Sequence, residues 1–242
     1  MSVRGAQVNT RPQIGRSDAG VVLVSTWRTG TPERRQAAVE AVSKTWRSRP
    51  WPDPGLLSYS VYTGEDDDTL LHYSQWRGLE DYHAFVATFR DERNAEIDAA
   101  VPGIERVELR AYEMYRSTEL APGGADREPG CVVIVDVEFD GPDAARQRDW
   151  VDTVFEALAT DPGLHPGGIA GHFHVSTDGT RVLNYAEWES AEAHIEALGG
   201  TGGVGAVTPQ WQKVHGYPGV TGGGVKRYTP ALSLSAGVRE AS

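Results

Sequence analysis

The sequence Tyr73-Ser74-Gln75-Trp76 returns 112 residues later as Tyr185-Ala186-Glu187-Trp188. A second stretch, Asp53-Pro54-Gly55-Leu56, returns 108 residues later as Asp161-Pro162-Gly163-Leu164. Self-similarity at a nearly constant offset indicates internal duplication. The chain of 242 residues is therefore predicted to contain two copies of one module of about 110 residues.

Each copy carries the same succession of predicted strands and helices. Apolar β-branched runs predict strands, apolar residues at a spacing of four predict helices, and Pro and Gly clusters separate them. The first copy has the order β-α-β-β-α-β, with elements at residues 21–27, 31–48, 56–62, 70–76, 79–99 and 104–115. The second copy has the same order, with elements at 131–139, from 142, 169–176, 181–188, 191–198 and 225–233. This order is the ferredoxin-like arrangement of a four-stranded antiparallel sheet with both helices on one face.

The open face of each sheet needs cover, and two copies can cover each other. We therefore predict an α+β fold in which two fused ferredoxin-like modules pack sheet to sheet, as a pseudo-dimer with a barrel-like centre within one chain. The predicted parts are a flexible tail at 1–18, a first module at 19–118, a linker at 119–130, a second module at 131–235 and a tail at 236–242.

Composition narrows the kind of partner and the compartment. The formal net charge of −11 disfavours nucleic acid, because phosphate binding requires clustered basic residues. The single cysteine, Cys131, excludes a disulfide framework within the chain, and the residues after Met1 show no signal-peptide pattern. No apolar stretch approaches a membrane span. We expect a cytoplasmic protein that does not bind membranes.

Three features together resemble a known family. They are the strand-helix unit, the Pro-Gly-Leu before each hairpin, and a Tyr-x-x-Trp strand followed by a helix that bears a histidine in the second copy. In these features the chain resembles the antibiotic biosynthesis monooxygenase family, over about residues 20–118 and 130–235. The resemblance implies the dimeric α+β barrel fold, here in a tandem version of modules that usually pair as separate chains.

The resemblance also implies a site. A polar residue, often Asn, lies four positions before the strand Trp in the family, and a proton-transferring side chain lies six positions after it. In the second copy these are Asn184, Trp188 and His194, and His174 lies on the neighbouring strand as a further proton-transfer candidate. The first copy departs from the pattern. We predict substrate-binding roles for the remaining candidates, His72, Trp76, Tyr62, Tyr82 and His172.

The register of the second hairpin leaves one question open. A two-residue Asp178-Gly179 turn would pair His174 with Leu183 and place Asn184 on the other face of the sheet. A loop longer by one residue, or a bulge, would bring His174 and Asn184 to a common face.

The family's best-studied members oxidise phenols or anthrones of polyketide origin to quinones with O2, without flavin or metal. By resemblance, we predict a monooxygenase that needs no cofactor, uses O2 as co-substrate and binds a small aromatic molecule in antibiotic biosynthesis. The alternatives are a polyketide cyclase of the same fold and a non-catalytic small-molecule-binding module. We expect either a monomeric pseudo-dimer or a homodimer of fused chains.

Other patterns carry less weight. Four histidines could suggest a metal site, and an axial histidine could suggest haem, but the chain has no HExxH motif and we predict no metal. The residues behind these alternatives are His172, His174, His194 and His215 for a metal, and His194 or His83 for haem. The glycine-rich run 199–205 is interpreted as a loop that could act as a lid. Arg90 and Arg93 are interpreted as solvent-facing helix residues.

Overall fold

The computed structural model describes residues 4–53, 55–121, 123–160, 167–199 and 208–237. It has a mixed α+β fold with antiparallel strand pairing, as predicted. The described residues form two compact units: unit 1 comprises Met1–Ala111 with Thr229–Ser242, and unit 2 comprises Tyr112–Tyr228. In the part of the chain that the structure describes, no helix is long and apolar enough to cross a membrane.

Unit 1 contains a sheet and the helices that follow its strands. Its strands pair in the order β1-β9-β3-β4-β2-β5. The bounds are β1 Ala6–Val8, β2 Val21–Arg28, α1 Pro32–Ser48, β3 Leu56–Gly64, β4 Thr69–Trp76, α2 Leu79–Phe85, α3 Asp91–Ala100, the first part of β5 Glu105–Glu119, and the last part of β9 Val220–Ala236.

Unit 2 repeats this plan with the strand order β5-β7-β8-β6-β9. The bounds are β6 Cys131–Phe139, α4 Ala144–Ala159, β7 Gly168–Ser176, β8 Arg181–Trp188, α5 Ala191–Gly199 and α6 Pro209–His215. Helix α6 was not predicted, although Thr208 caps it and Pro209 opens it, which is a recognisable start signal. The predicted repeat at 161–164 and most of the glycine-rich run, at 200–205, lie outside the described residues.

Two strands are longer than predicted and contribute to both units. The later part of β5 pairs with β7, and the earlier part of β9 pairs with β6. The compact units consequently end at residues 111 and 228, whereas the predicted modules end at 118 and 235. The packing of two modules sheet to sheet stays a prediction.

The N-terminal segment is not wholly a tail. Residues 6–8 form β1, which pairs antiparallel with the end of β9, with Ala6 opposite Ala236. Ile14 is also buried in the core. The prediction of a flexible tail over residues 1–18 is therefore wrong for this part. A three-residue strand beside a 17-residue strand has too little periodicity of its own to be predicted from sequence.

The second helix of unit 1 is interrupted. A π-helical segment, Val86–Arg90, separates α2 from α3, and such segments shift the helix face that follows. Arg93, on α3, is 2% exposed and lies with its guanidinium carbon 4.9 Å from the centre of the Trp46 ring. The interpretation of Arg93 as solvent-facing is therefore wrong.

Two buried histidines make the stability of the fold depend on pH. Burial lowers the pKa of His174 to about 3, from an ordinary value of 6.5, and it does the same for His72. Between these values an unfolded chain takes up protons that the folded chain does not. The contribution of these two neutral histidines to the free energy of unfolding is therefore fully present above pH of about 7, and it is lost as the pH falls towards 3.

We expect the free energy of unfolding, measured by urea titration, to fall by about 1.4 kcal/mol per pH unit for each histidine below pH of about 6. His174→Asn should remove one histidine's share of this slope, while His215→Asn, at an exposed residue of α6, should leave it unchanged. An unaltered slope in His174→Asn would contradict a buried neutral imidazole.

Candidate functional site

Each unit contains one of the two cavities that bear on function. The unit 2 cavity has a volume of about 620 Å³ and the unit 1 cavity about 450 Å³. Both volumes lie in the range of ordinary small-molecule sites.

The unit 2 cavity has mostly apolar walls with a few polar groups. Its apolar walls are Leu120, Val133, Val135, Val137, Trp150, Val154, Leu158, Phe173, Ala186, Trp188, Leu198, Trp211, Val214, Val220 and Val225. Its polar side chains are Asn184, His194 and His215. Asp136 also borders it, but it lies opposite Leu183, so its side chain points to the other face of the sheet. Asp136 is the sole carboxylate among the described lining residues, and it is ion-paired with Arg181. This cavity suits a largely apolar ligand with few polar groups.

The pairing of β7 with β8 decides which predicted residues reach this cavity. Phe173 lies opposite Asn184, and His174 lies opposite Leu183. Adjacent side chains point to opposite faces of a strand, so Asn184 and His174 lie on opposite faces. The structure therefore adopts the register of the two-residue turn. His174 is fully buried and does not line the cavity, so its predicted proton-transfer role beside Asn184 is wrong.

Asn184 presents a hydrogen-bond acceptor to this cavity. Its Oδ1 atom is buried, and no described residue donates a hydrogen bond to it. Gly171, on the paired strand β7, lines the cavity beside it, and a Cβ atom at that position would lie 3.5 Å from Oδ1. An acceptor left without a donor costs about 1–3 kcal/mol, which a ligand hydroxyl or N–H would recover. Asn184 therefore favours a ligand that carries a donor.

His194 supplies the complementary group. It is 4% exposed, lines the cavity and lies edge-on to Trp188, with 5.0 Å between ring centres. Its Nδ1 atom accepts a hydrogen bond from Nε of Arg227 at 3.0 Å. A guanidinium can only donate, so Nδ1 is the unprotonated nitrogen and Nε2 carries the ring proton. In this state His194 is a hydrogen-bond donor.

His172, predicted to bind substrate, lies on the opposite face. It pairs with Tyr185, and its Nδ1 atom lies 2.9 Å from Oγ of Ser117. Its Nε2 atom lies 3.8 Å from a carboxylate oxygen of Glu187, which is fully buried. His172 does not line the cavity, because it shares the strand face of His174.

The unit 1 cavity is bordered by three of the four residues predicted there. His72, Trp76 and Tyr82 line it, and the rings of Trp76 and Tyr82 meet edge to face with centres 5.4 Å apart. Tyr62 does not line it. It pairs with Leu71, one residue out of phase with His72, so alternation places Tyr62 on the other face of the sheet, away from the three other predicted residues.

Strand pairing defines the equivalent positions in the two units. Val61 lies opposite His72 as Phe173 lies opposite Asn184, and Tyr59 lies opposite Ser74 as Gly171 lies opposite Ala186. Tyr59 therefore occupies the position of Gly171, and its hydroxyl lies 2.6 Å from Nδ1 of His72. A phenol ring in place of a hydrogen atom contributes to the smaller volume of the unit 1 cavity.

The remaining histidines do not form a cluster. Among the described residues, no group of three or more His, Cys, Asp or Glu side chains is placed to hold a metal ion. His83, the alternative axial ligand for haem, is exposed and lines neither cavity. His215 lines the unit 2 cavity beside Trp211, with 6.2 Å between ring centres.

Several lining residues were missed in the sequence. They are Gly171, Tyr59, Trp27, Trp46, Arg93, Arg106 and Trp211. Gly171 and Tyr59 could have been found by extending the repeat backwards from the Tyr-x-x-Trp strand to its hairpin partner. The arginines carry no local signal, because their role depends on rings from other elements.

Comparisons with known proteins bear on the fold. No protein-family model matches the chain, and no curated protein matches it significantly. An anthrone oxidase-like protein superposes with a TM-score of 0.71 at 18% identity, over 93% of this chain and 97% of that one. A protein from Lactobacillus acidophilus NCFM, assigned as a monooxygenase, gives 0.56 at 11% identity, over 91% and 100%. A mutant chlorite dismutase from Candidatus Nitrospira defluvii, in complex with cyanide, gives 0.53 at 14% identity, over 88% and 92%.

These likenesses establish a class of fold. The chain has the α+β fold of solved structures named as monooxygenases, and of a chlorite dismutase. The α+β class expected from the family resemblance is thereby confirmed, whereas the dimeric α+β barrel of two fused family modules stays a prediction. One fold hosts many activities, so the activity must be argued from the cavities.

The cavity beside Asn184 can be tested through Gly171. A methyl group at this position would meet its neighbours at ordinary contact distances, the nearest being 3.5 Å away. We expect Gly171→Ala to leave the melting temperature nearly unchanged, and Gly171→Leu to fill the space beside Asn184. Binding of 2-naphthol to the unit 2 cavity, measured by calorimetry, should weaken at least tenfold in Gly171→Leu. Equal affinity in both variants would show that the ligand does not lie beside Asn184.

Proposed function

We propose that this chain is a cofactor-independent monooxygenase that oxidises an anthrone or a polyketide-type phenol to a quinone with O2. The observation that carries the proposal is the unit 2 cavity, where an apolar slot holds the unpartnered Oδ1 atom of Asn184 and the imidazole of His194. The fold shared with an anthrone oxidase-like protein is consistent with this chemistry.

The walls of the cavity suit a flat aromatic substrate. Trp150, Phe173, Trp188 and Trp211 line it together with aliphatic side chains. Flat rings stack favourably against such walls, and removal from water stabilises an apolar ligand by roughly 25 cal/mol per Å². The exposed side chains of Leu198, Val220 and Val225 also border the cavity and offer an apolar entrance.

The polar groups match the two oxygen functions of such a substrate. A ring hydroxyl would donate to Oδ1 of Asn184. The oxygen that gains charge when the substrate loses a proton would accept from Nε2–H of His194. The hydrogen bond from Arg227 to Nδ1 keeps the ring proton of His194 on Nε2, and the guanidinium adds positive charge on the Nδ1 side of the ring. Preorganised donors in a cavity with mostly apolar walls stabilise such an anion more than they would in solution.

The oxidation balances without a further reductant. The substrate anion transfers one electron to O2, and the resulting radicals combine to form a carbon–oxygen bond. Protonation gives a hydroperoxide, which loses water as the carbonyl of the quinone forms. For an anthrone the methylene carbon becomes the new carbonyl, so one oxygen atom enters the product and the other leaves as water.

A cyclase of the same fold would use the same cavity for an aldol condensation without O2. Production of the same product under argon would therefore favour the cyclase and exclude the oxygenase. A purely structural module would need no cavity beside Asn184 or His72, and cavities are present at both positions.

We further propose that the enzyme acts in the cytoplasm, as a monomer or a homodimer, in secondary metabolism.

Asn184→Ala should separate catalysis from stability. With 1,8-dihydroxyanthrone as substrate, we expect oxygen uptake and quinone absorbance to fall at least 30-fold, because the ring hydroxyl loses its acceptor. The free energy of unfolding should change by less than about 1 kcal/mol, since no described residue donates to Oδ1.

Asn9→Ala is the matched control. The Nδ2 atom of Asn9 donates to Oγ of Ser235 at 3.0 Å, and Asn9 lines neither cavity. This variant should lose about 1 kcal/mol of stability and keep full turnover. Unchanged turnover in Asn184→Ala would remove Asn184 from the mechanism, and loss of turnover in both variants would mean that the assay reports stability.

A further inference from the structure

The unit 1 cavity has walls built from aromatic rings. Trp27, Trp46, Tyr59, Trp76, Tyr82 and Phe85 line it. Val107 and Leu109 on β5 also border it and are 45% and 50% exposed. A slot with these walls accepts a flat ring system.

The charged groups around this cavity are mainly cationic. Arg90, Arg93 and Arg106 line it, and Glu108 is the sole carboxylate among the described lining residues. Glu108 is ion-paired with Arg110, while Arg90 and Arg106 have carboxylate partners on the helix, Asp91 at 3.2 Å and Asp98 at 2.9 Å. The unit 2 cavity, by contrast, has no arginine among its described lining residues.

Arg106 is the cation best placed to meet a ligand. It is exposed, and its guanidinium carbon lies 4.7 Å from the centre of the Trp27 ring. Its ion pair with Asp98, at 2.9 Å, lies near the protein surface, where such pairs contribute little. The charge of Arg106 also contributes to lowering the pKa of His72, after the larger effect of burial.

His72 presents a hydrogen-bond donor inside the cavity. The indole of Trp46 donates to the hydroxyl of Tyr59, and burial raises the pKa of that hydroxyl. Tyr59 is therefore neutral and keeps its O–H proton. Nδ1 of His72, at 2.6 Å, is the acceptor that the described residues offer to this O–H, so Tyr59 donates and Nδ1 accepts. The proton of the neutral imidazole then lies on Nε2, which is buried and has no partner among the described residues.

The polar atom without a hydrogen-bond partner among the described residues differs between the two cavities. In unit 2 the open group is an acceptor, Oδ1 of Asn184, whereas in unit 1 it is a donor, Nε2–H of His72. Trp76 and Trp188 occupy equivalent strand positions in both, so the difference arises at the His72 and Asn184 positions and their partners.

We propose that the unit 1 cavity is a separate binding site for a planar aromatic carboxylate, whose carboxylate accepts from Nε2–H of His72 in the field of Arg106. The aromatic walls hold the ring system, and Trp27 contacts both polar residues, with its ring centre 4.0 Å from that of His72. The site recognises an anion and does not depend on the oxidation proposed for unit 2.

The test compares two probes of the same shape and different charge, 2-naphthoate and 2-naphthamide, by calorimetry on the full chain. Gly171→Leu serves as the background, because it occupies the space beside Asn184 in the unit 2 cavity. We expect 2-naphthoate to bind this variant at least tenfold more tightly than 2-naphthamide. Its affinity should fall as the salt concentration rises.

Variants locate the contact. Arg106→Gln, at an exposed residue, should lower the affinity for 2-naphthoate at least fivefold and keep the affinity for 2-naphthamide within twofold of its original value. His72→Phe keeps a ring and removes the donor, and it should also lower the affinity for 2-naphthoate at least fivefold. Arg28→Gln is the matched control, because Arg28 pairs with Asp68 at 4.0 Å and lines neither cavity.

Equal affinity for the two probes, or an equal effect of Arg106→Gln on both, would overturn the proposal. Loss of 2-naphthoate binding in Gly171→Leu would overturn it as well, because the ligand would then lie in unit 2. These outcomes are independent of oxygen uptake by the same chain, so this proposal and the proposed activity can fail separately.

Discussion

The antiparallel pairing of β7 with β8 is the constraint on which the candidate site depends. The turn between them is closed by Oγ of Ser176, which accepts from the backbone of Thr180 at 3.1 Å, and by Gly179, whose φ of 78° favours glycine. This turn sets the register. A slip of one residue would exchange the faces of β8, removing Asn184 from the cavity.

The same constraint explains how one plan gives two different cavities. In both units the strand tryptophans, Trp76 and Trp188, are almost completely buried, so they maintain the fold. Residues whose side chains face the cavity can differ between the units without disturbing the side chains buried on the opposite face of the sheet. Tyr59 with His72 closes part of one cavity and presents a donor, while Gly171 with Asn184 opens the other and presents an acceptor.

Local patterns predicted many of the elements. Thr31 caps α1 and Asp143 caps α4, where capping residues stand before apolar positions at helical spacing. Strand β6 has the bounds expected from its apolar run. The errors arose where distant partners decide the outcome: β1 exists because β9 pairs with it, and Arg93 is buried because Trp46 and Phe85 cover it.

The sequence by itself determined the order of strands and helices and the α+β class. These follow from periodicity and turn chemistry, which act over a few residues, whereas the roles predicted for Asn184, Trp188 and His194 rest on the family resemblance. Tertiary structure alone decided that Arg227 fixes the tautomer of His194, and that Arg106 and the aromatic rings surround His72. Such contacts join residues far apart in sequence, and only strand register and packing bring them together.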